Sequence, residues 1–128
     1  MNELQFADDV LARIRARGGN YHERGYLFVL AAIEYLQSRL DVRRHVTGAE
    51  LAWASRDFAL EQFGLLARQV LDHWGITRTD DIGRIVFTLV EVGLLVTQPG
   101  DREQDFAAVF DFTEAFDETY EWHGVRGG

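Results

Sequence analysis

The chain has no cysteine and no lysine, and only one proline and one methionine. Without cysteine there is no disulfide and no thiolate metal site, which fits a reducing, cytoplasmic setting. Without lysine, all 13 basic residues are arginine. A GC-rich genome explains that more simply than a need for guanidinium chemistry. No apolar run approaches the roughly 18 residues of a membrane span, so no membrane role is expected. Positive charge is also short. The net charge is −8, and nucleic acid, a polyanion, is normally bound by a cluster of cations.

A chain of 128 residues fits one domain with a single core. A hydrophobic fraction of 47% is that of a globular protein. The opening MNELQFADDV carries acids where a signal peptide would carry Lys or Arg, so export is not expected. The acidity is local. Residues 101–121 hold eight acids and only Arg102 as a base, while residues 1–100 hold 13 acids against 11 arginines.

Hydrophobic spacing predicts a mainly α-helical fold. Phe6, Val10 and Ile14, with Leu11 beside them, make a stripe over residues 4–17, and Gly18 and Gly19 can end that helix. Asn20 and Glu23 read as a capping-box pair opening a second helix to about Leu40, with Val29, Ile33 and Leu36 inward. The segment TGAE supplies Thr47 as N-cap and Glu50 three residues on. Gly64 is a candidate break, and LLARQVLDHW a further helix ending at Gly75. Thr79 can cap the fifth helix, whose Ile82, Ile85, Val86 and Leu89 share one face. Its first-turn Asp80 and Asp81 suit the positive end of the helix dipole. Phe58, Phe63, Val70, Leu71 and Trp74 complete the expected core.

Beyond Gly93 the period shortens. LLVTQ (94–98) and FAAVFDF (106–112) read as two strands around the turn PGDREQ, a C-terminal β-hairpin. TEAFDETYEW reads as a short helix. The expectation is one domain, 1–122, of about five helices and a hairpin, followed by a flexible tail, 123–128. The terminal RGG occurs in ubiquitin-like and sulfur-carrier proteins. Those present it from a β-grasp fold, which this helical pattern does not resemble.

Helix, turn, helix and hairpin over residues 64–112 resembles a winged-helix unit in element order, with the fifth helix as recognition helix and the hairpin as wing. The segments YHERGYLFVLAAIEYL, RHVTGAEL, FALEQFGLLARQVLDHWGI, DIGRIVFTLVEVGLL and DFAAVFDFTEAF resemble a family of small bacterial proteins of uncharacterised function. That resemblance implies a shared fold and brings no activity, cofactor or site.

Three functions follow, in order of preference. The first is a non-catalytic cytoplasmic interaction or adaptor module. Its partner-binding candidates are Tyr120, Trp122, Glu114, Asp117 and Glu118, in an acidic-aromatic segment that can dock as an amphipathic helix. A mixture is expected, with Phe110, Phe112 and Phe116 mostly buried on the protein's own core and Tyr120 and Trp122 more available to a partner. The second function is winged-helix nucleic-acid binding, disfavoured because the exposed positions of the recognition helix include Asp80, Asp81 and Glu91. The third is a small enzyme or anion-binding protein using Arg43, Arg44 and His45 at the entrance to a helix, where free N–H groups favour negative charge. The alternative there is that these basic side chains pair with the acidic C-terminal segment. His22, His45, His73 and His123 form no metal-ligand spacing such as HExxH, and no GxSxG, P-loop or GxGxxG occurs. No catalytic residue, metal or cofactor is therefore expected. The partner and the oligomeric state stay open.

Overall fold

The computed structural model describes residues 3–17 and 20–118. They form five helices: α1 (Glu3–Arg17), α2 (Glu23–Ser38), α3 (Gly48–Phe63), α4 (Ala67–His73) and α5 (Thr79–Glu91). Short 3-10 turns follow at Gly64–Leu66 and Glu103–Phe106, and a π-helical turn at Thr113–Glu118. The helical character expected from the spacing is present. No described residue lies in a strand.

Each boundary has a local cause. α3 begins where expected: the Thr47 hydroxyl accepts the Glu50 N–H (3.1 Å) and the Glu50 carboxylate accepts the Thr47 N–H (2.9 Å), a closed capping box. α3 ends at Gly64, whose φ of 56° suits a residue without Cβ. α2 starts later than Asn20 suggests. Its N-cap is His22, whose Nδ1 accepts the Arg24 N–H. The His22 N–H is held by the Trp74 carbonyl, so the chain is pinned outside the helix at that point. α5 is capped from within. The buried Asp81 carboxylate accepts the N–H groups of Thr77 and Arg78 and the Tyr21 hydroxyl at 2.6 Å. Thr79, the expected cap, is buried and serves another purpose described below.

α2 and α5 lie at the centre. α2 packs on α3 and α5, and α1 packs on α5. Val29, Leu71, Trp74, Ile82, Ile85, Val86 and Leu89 are buried, while Ile33, Phe58, Phe63 and Val70 are partly buried against them. Leu36 is only half-buried. Ile14 carries the inward face of α1. Gly18, Gly19 and the side chains of Phe6 and Val10 fall outside the described residues.

The hairpin expectation is corrected. Residues 94–98 run as an irregular wall, 103–106 form a 3-10 turn, and 107–111 stay irregular. The backbone groups that would build a ladder are bound to α5 instead. The Thr79 hydroxyl donates to the Phe106 carbonyl at 2.6 Å and accepts the Val109 N–H at 3.0 Å. Asp80 accepts the Ala108 N–H. Ala108 has φ 48°, the left-handed conformation, which interrupts any extended run. Phe106 is buried against the small Gly83 of α5. Apolar alternation in 106–112 thus marks anchors pressed onto a helix. Without the hairpin, the winged-helix comparison has no wing among the described residues.

Candidate functional site

The loop between α2 and α3 holds Arg43, Arg44 and His45, and each has an internal partner. Both terminal nitrogens of Arg43 reach the Glu34 carboxylate (2.9 and 3.3 Å). Those of Arg44 reach Glu50 (2.7 and 3.2 Å). His45 Nε2 lies 3.1 Å from Asp101 Oδ1. Gln37 fastens the same loop to α2 by donating to the Arg44 carbonyl and accepting the Arg44 N–H. The Arg44 guanidinium, helped by the Thr47 N–H, holds the Glu50 carboxyl down at about 2. Glu34 is lowered in the same way by Arg43.

This geometry bears on the anion site. Both guanidinium groups already bind a carboxylate through two nitrogens, the strongest common pairing for arginine. An incoming anion would meet arginines whose charge is already offset by Glu34 and Glu50. Of the three basic residues, only His45 reaches the acidic C-terminal segment, through Asp101. Arg43 and Arg44 turn to the acids of α2 and α3.

Beside this loop lies a cleft of about 360 Å³. Its walls are Ile33 of α2, Leu51 of α3, Val86, Phe87 and Val90 of α5, and Leu95, Val96 and Phe106 of the chain that follows. Arg44, His45, Thr47, Gln98, Asp101, Arg102 and Asp105 form its polar edge. On that edge Arg44 pairs with Glu50 and, loosely at 3.9 Å, Arg102 with Asp105, while the His45 ring is bonded to Asp101. An apolar floor inside a rim whose arginines are already paired favours an apolar group over a free anion. Its volume falls at the lower end of the range typical of ligand pockets. Val96 stands on the lip with 93% of its surface exposed.

The acidic-aromatic segment turns its phenylalanines towards the body of the protein. Phe112, Ala115 and Phe116 are buried. Phe110 lies against Trp53 (ring centroids 4.4 Å) and Phe112 (5.8 Å). The π-helical turn packs on α3 and α4, where Asp117 pairs with Arg68. Glu114 is exposed, with its N–H on the Asp111 carboxylate. The Glu118 side chain, Tyr120, Trp122 and the expected tail 123–128 lie outside the described residues. Asp117 is thus paired with Arg68 and not with the run 43–45, and the acid that meets His45 is Asp101, at the start of the acidic stretch 101–121.

Two parts of the cleft were not singled out in the sequence. Residues 94–98 form a wall where a strand was expected. His45 and Asp101 are 56 residues apart, and no local pattern joins them. The one available signal was the surplus of apolar residues past Gly93, since Leu94, Leu95 and Val96 exceed what a turn requires.

Among the described residues, no group of three or more His, Cys, Asp or Glu is placed to hold a metal ion. No helix there is long and apolar enough to cross a membrane. No family model, curated protein or solved structure matches the chain.

Proposed function

We propose that the protein is a non-catalytic interaction module of the cytoplasm that receives an apolar side chain of a protein partner in the cleft between α2, α3, α5 and residues 94–106. One observation carries this reading: an apolar cleft whose rim arginines are already paired with carboxylates, with an exposed valine on its lip. Protein interfaces have that anatomy, an apolar centre within a polar edge. A protein lying across the mouth also covers the surface of Val96 that the free chain exposes.

Nucleic-acid binding is less well supported. The helix that would enter a groove is α5, and its Asp81, Ile82, Gly83, Ile85, Val86 and Leu89 are buried. Its exposed Arg84 and Glu91 are paired, with Asp81 and Arg17 respectively. That leaves little of α5 for base edges.

The test is affinity capture from lysate of the source organism, with and without nuclease, using the parent chain and two cleft-filling variants, Val90→Trp and Thr97→Trp. A protein retained by the parent and lost from both variants supports the reading. Equal recovery by all three, or recovery of nucleic acid that nuclease abolishes, contradicts it.

A further inference from the structure

The outer wall of the cleft is fastened to the body in an uneven way. At its start, the Leu94 and Leu95 N–H groups bind the Leu89 carbonyl, continuing the end of α5. Further along, the bonds of the wall are internal: Gln98 N–H to the Asp101 carboxylate and Asp101 N–H to the Gln98 carbonyl. One side-chain contact then ties this turn to the facing loop, His45 Nε2 to Asp101 Oδ1. Asp101 therefore has two tasks, one oxygen on each. Oδ2 shapes the turn, and Oδ1 joins it across the cleft.

The segment is anchored at its start and free further along. Gly93 donates its N–H to the Val90 carbonyl, and Leu94 and Leu95 pack on the core. Gly100 has φ of +96°, and beyond its chain neighbours no atom lies within 4 Å of where a Cβ would stand on it. Glycine crosses between backbone regions at little steric cost. Between Leu95 and Gly100, Val96 projects into solvent. A valine held outward beside an apolar cleft has a surface to gain by turning inward.

From these features we infer that residues 96–101 are a lid over the cleft, pivoting beyond the anchored Leu95 and at Gly100 and clasped by His45 and Asp101. The inference rests on the cleft being the binding site. The clasp sets how readily the cleft opens. A partner's apolar group enters when the His45–Asp101 contact parts, and the lid then closes over it with Val96 covering the bound group.

The absence of cysteine from the chain allows a direct test. Val96→Cys carries a single nitroxide label, and its spectrum reports the mobility of the lid. The neutral apolar dye Nile red reports access to the cleft by stopped-flow fluorescence. Both are measured with His45 intact, with His45→Ala, and with His45→Gln, which keeps a side-chain N–H donor and fills similar space. The lid predicts a more mobile label and dye uptake faster by about 2- to 10-fold in His45→Ala, the scale of one net hydrogen bond. His45→Gln should stay near the parent in both. An unchanged label and unchanged rates in His45→Ala would overturn the lid and leave the cleft standing. Faster uptake with an unmoved label would also overturn it, since the substitution would only have widened the mouth. Failure of the dye to bind any of the proteins would remove the cleft, and the lid with it.

Discussion

Gly83 of α5 and Phe106 are in contact so close that a Cβ on Gly83 would stand 2.8 Å from the Phe106 Cβ and 2.9 Å from its Cγ. Those atoms are the base of a buried ring and have little room to move. Alanine in place of glycine gains up to about 1 kcal/mol of helix propensity. Overpacking a filled site costs about 1–3 kcal/mol. The second effect should prevail, so Gly83→Ala is expected to lower stability by roughly 1–2 kcal/mol in urea unfolding. It should also loosen residues 103–109, seen as faster amide exchange there. A stabilised variant would show that Phe106 is not seated on α5 as described.

Thr79 gives a second, independent test of the same junction. Its buried hydroxyl joins the Phe106 carbonyl and the Val109 N–H. Thr79→Val keeps the shape and leaves both backbone groups without that partner, at a cost of about 1–3 kcal/mol. Thr79→Ser keeps the hydroxyl and should cost less. Urea midpoints of the two variants decide the matter, with the Val109 amide exchanging faster in Thr79→Val alone.

The carboxyl of Glu50 is held at about 2, below its usual 4.5, first by Arg44 and then by the Thr47 N–H. A depressed carboxyl contributes stability that is complete above the unfolded value and is lost as pH falls through the folded one. The contribution should therefore fade between about pH 4.5 and 2. Glu50→Gln can keep the capping-box bond and removes only the charge. The parent should exceed this variant in urea midpoint at neutral pH and lose that advantage in the acid window. The difference will be small, because the Glu50 side chain is 36% exposed and solvent screens the pair.

Tyr21 supplies the opposite limb. Burial, followed by its bond to Asp81, pushes its phenol up to about 12 from 10. Across that window the folded chain keeps a proton that the unfolded chain has released, so stability falls as pH rises. Burial raises Tyr26 as well, so Tyr21→Phe should flatten the alkaline loss without abolishing it. An unchanged alkaline slope would contradict the buried placement of the Tyr21 hydroxyl.

The helical part of this fold was legible because its causes are local. Thr47 and Glu50 lie three residues apart, and the α5 face of Ile82, Ile85, Val86 and Leu89 repeats within one element. The C-terminal part was not. Phe106, Phe110 and Phe112 alternate as a strand would, yet the hydroxyl of Thr79, 27 residues away from Phe106, takes the backbone bonds a partner strand would need. The start of α2 was misplaced for a similar reason, since a distant carbonyl, that of Trp74, holds His22. At the candidate site, the basic run 43–45 was visible, but the acids that bond to it come from three separate segments. Only the assembled chain shows that the run closes one side of an apolar cleft.

The most direct measurement is photo-crosslinking in cells of the source organism, with p-benzoylphenylalanine placed either at Val96, on the lip of the cleft, or at Leu65, which is 81% exposed and does not line the cleft. The account predicts a discrete protein adduct from position 96 and none of the same mass from position 65. An adduct from position 65 alone, or the same adduct from both, would contradict the cleft as the binding surface.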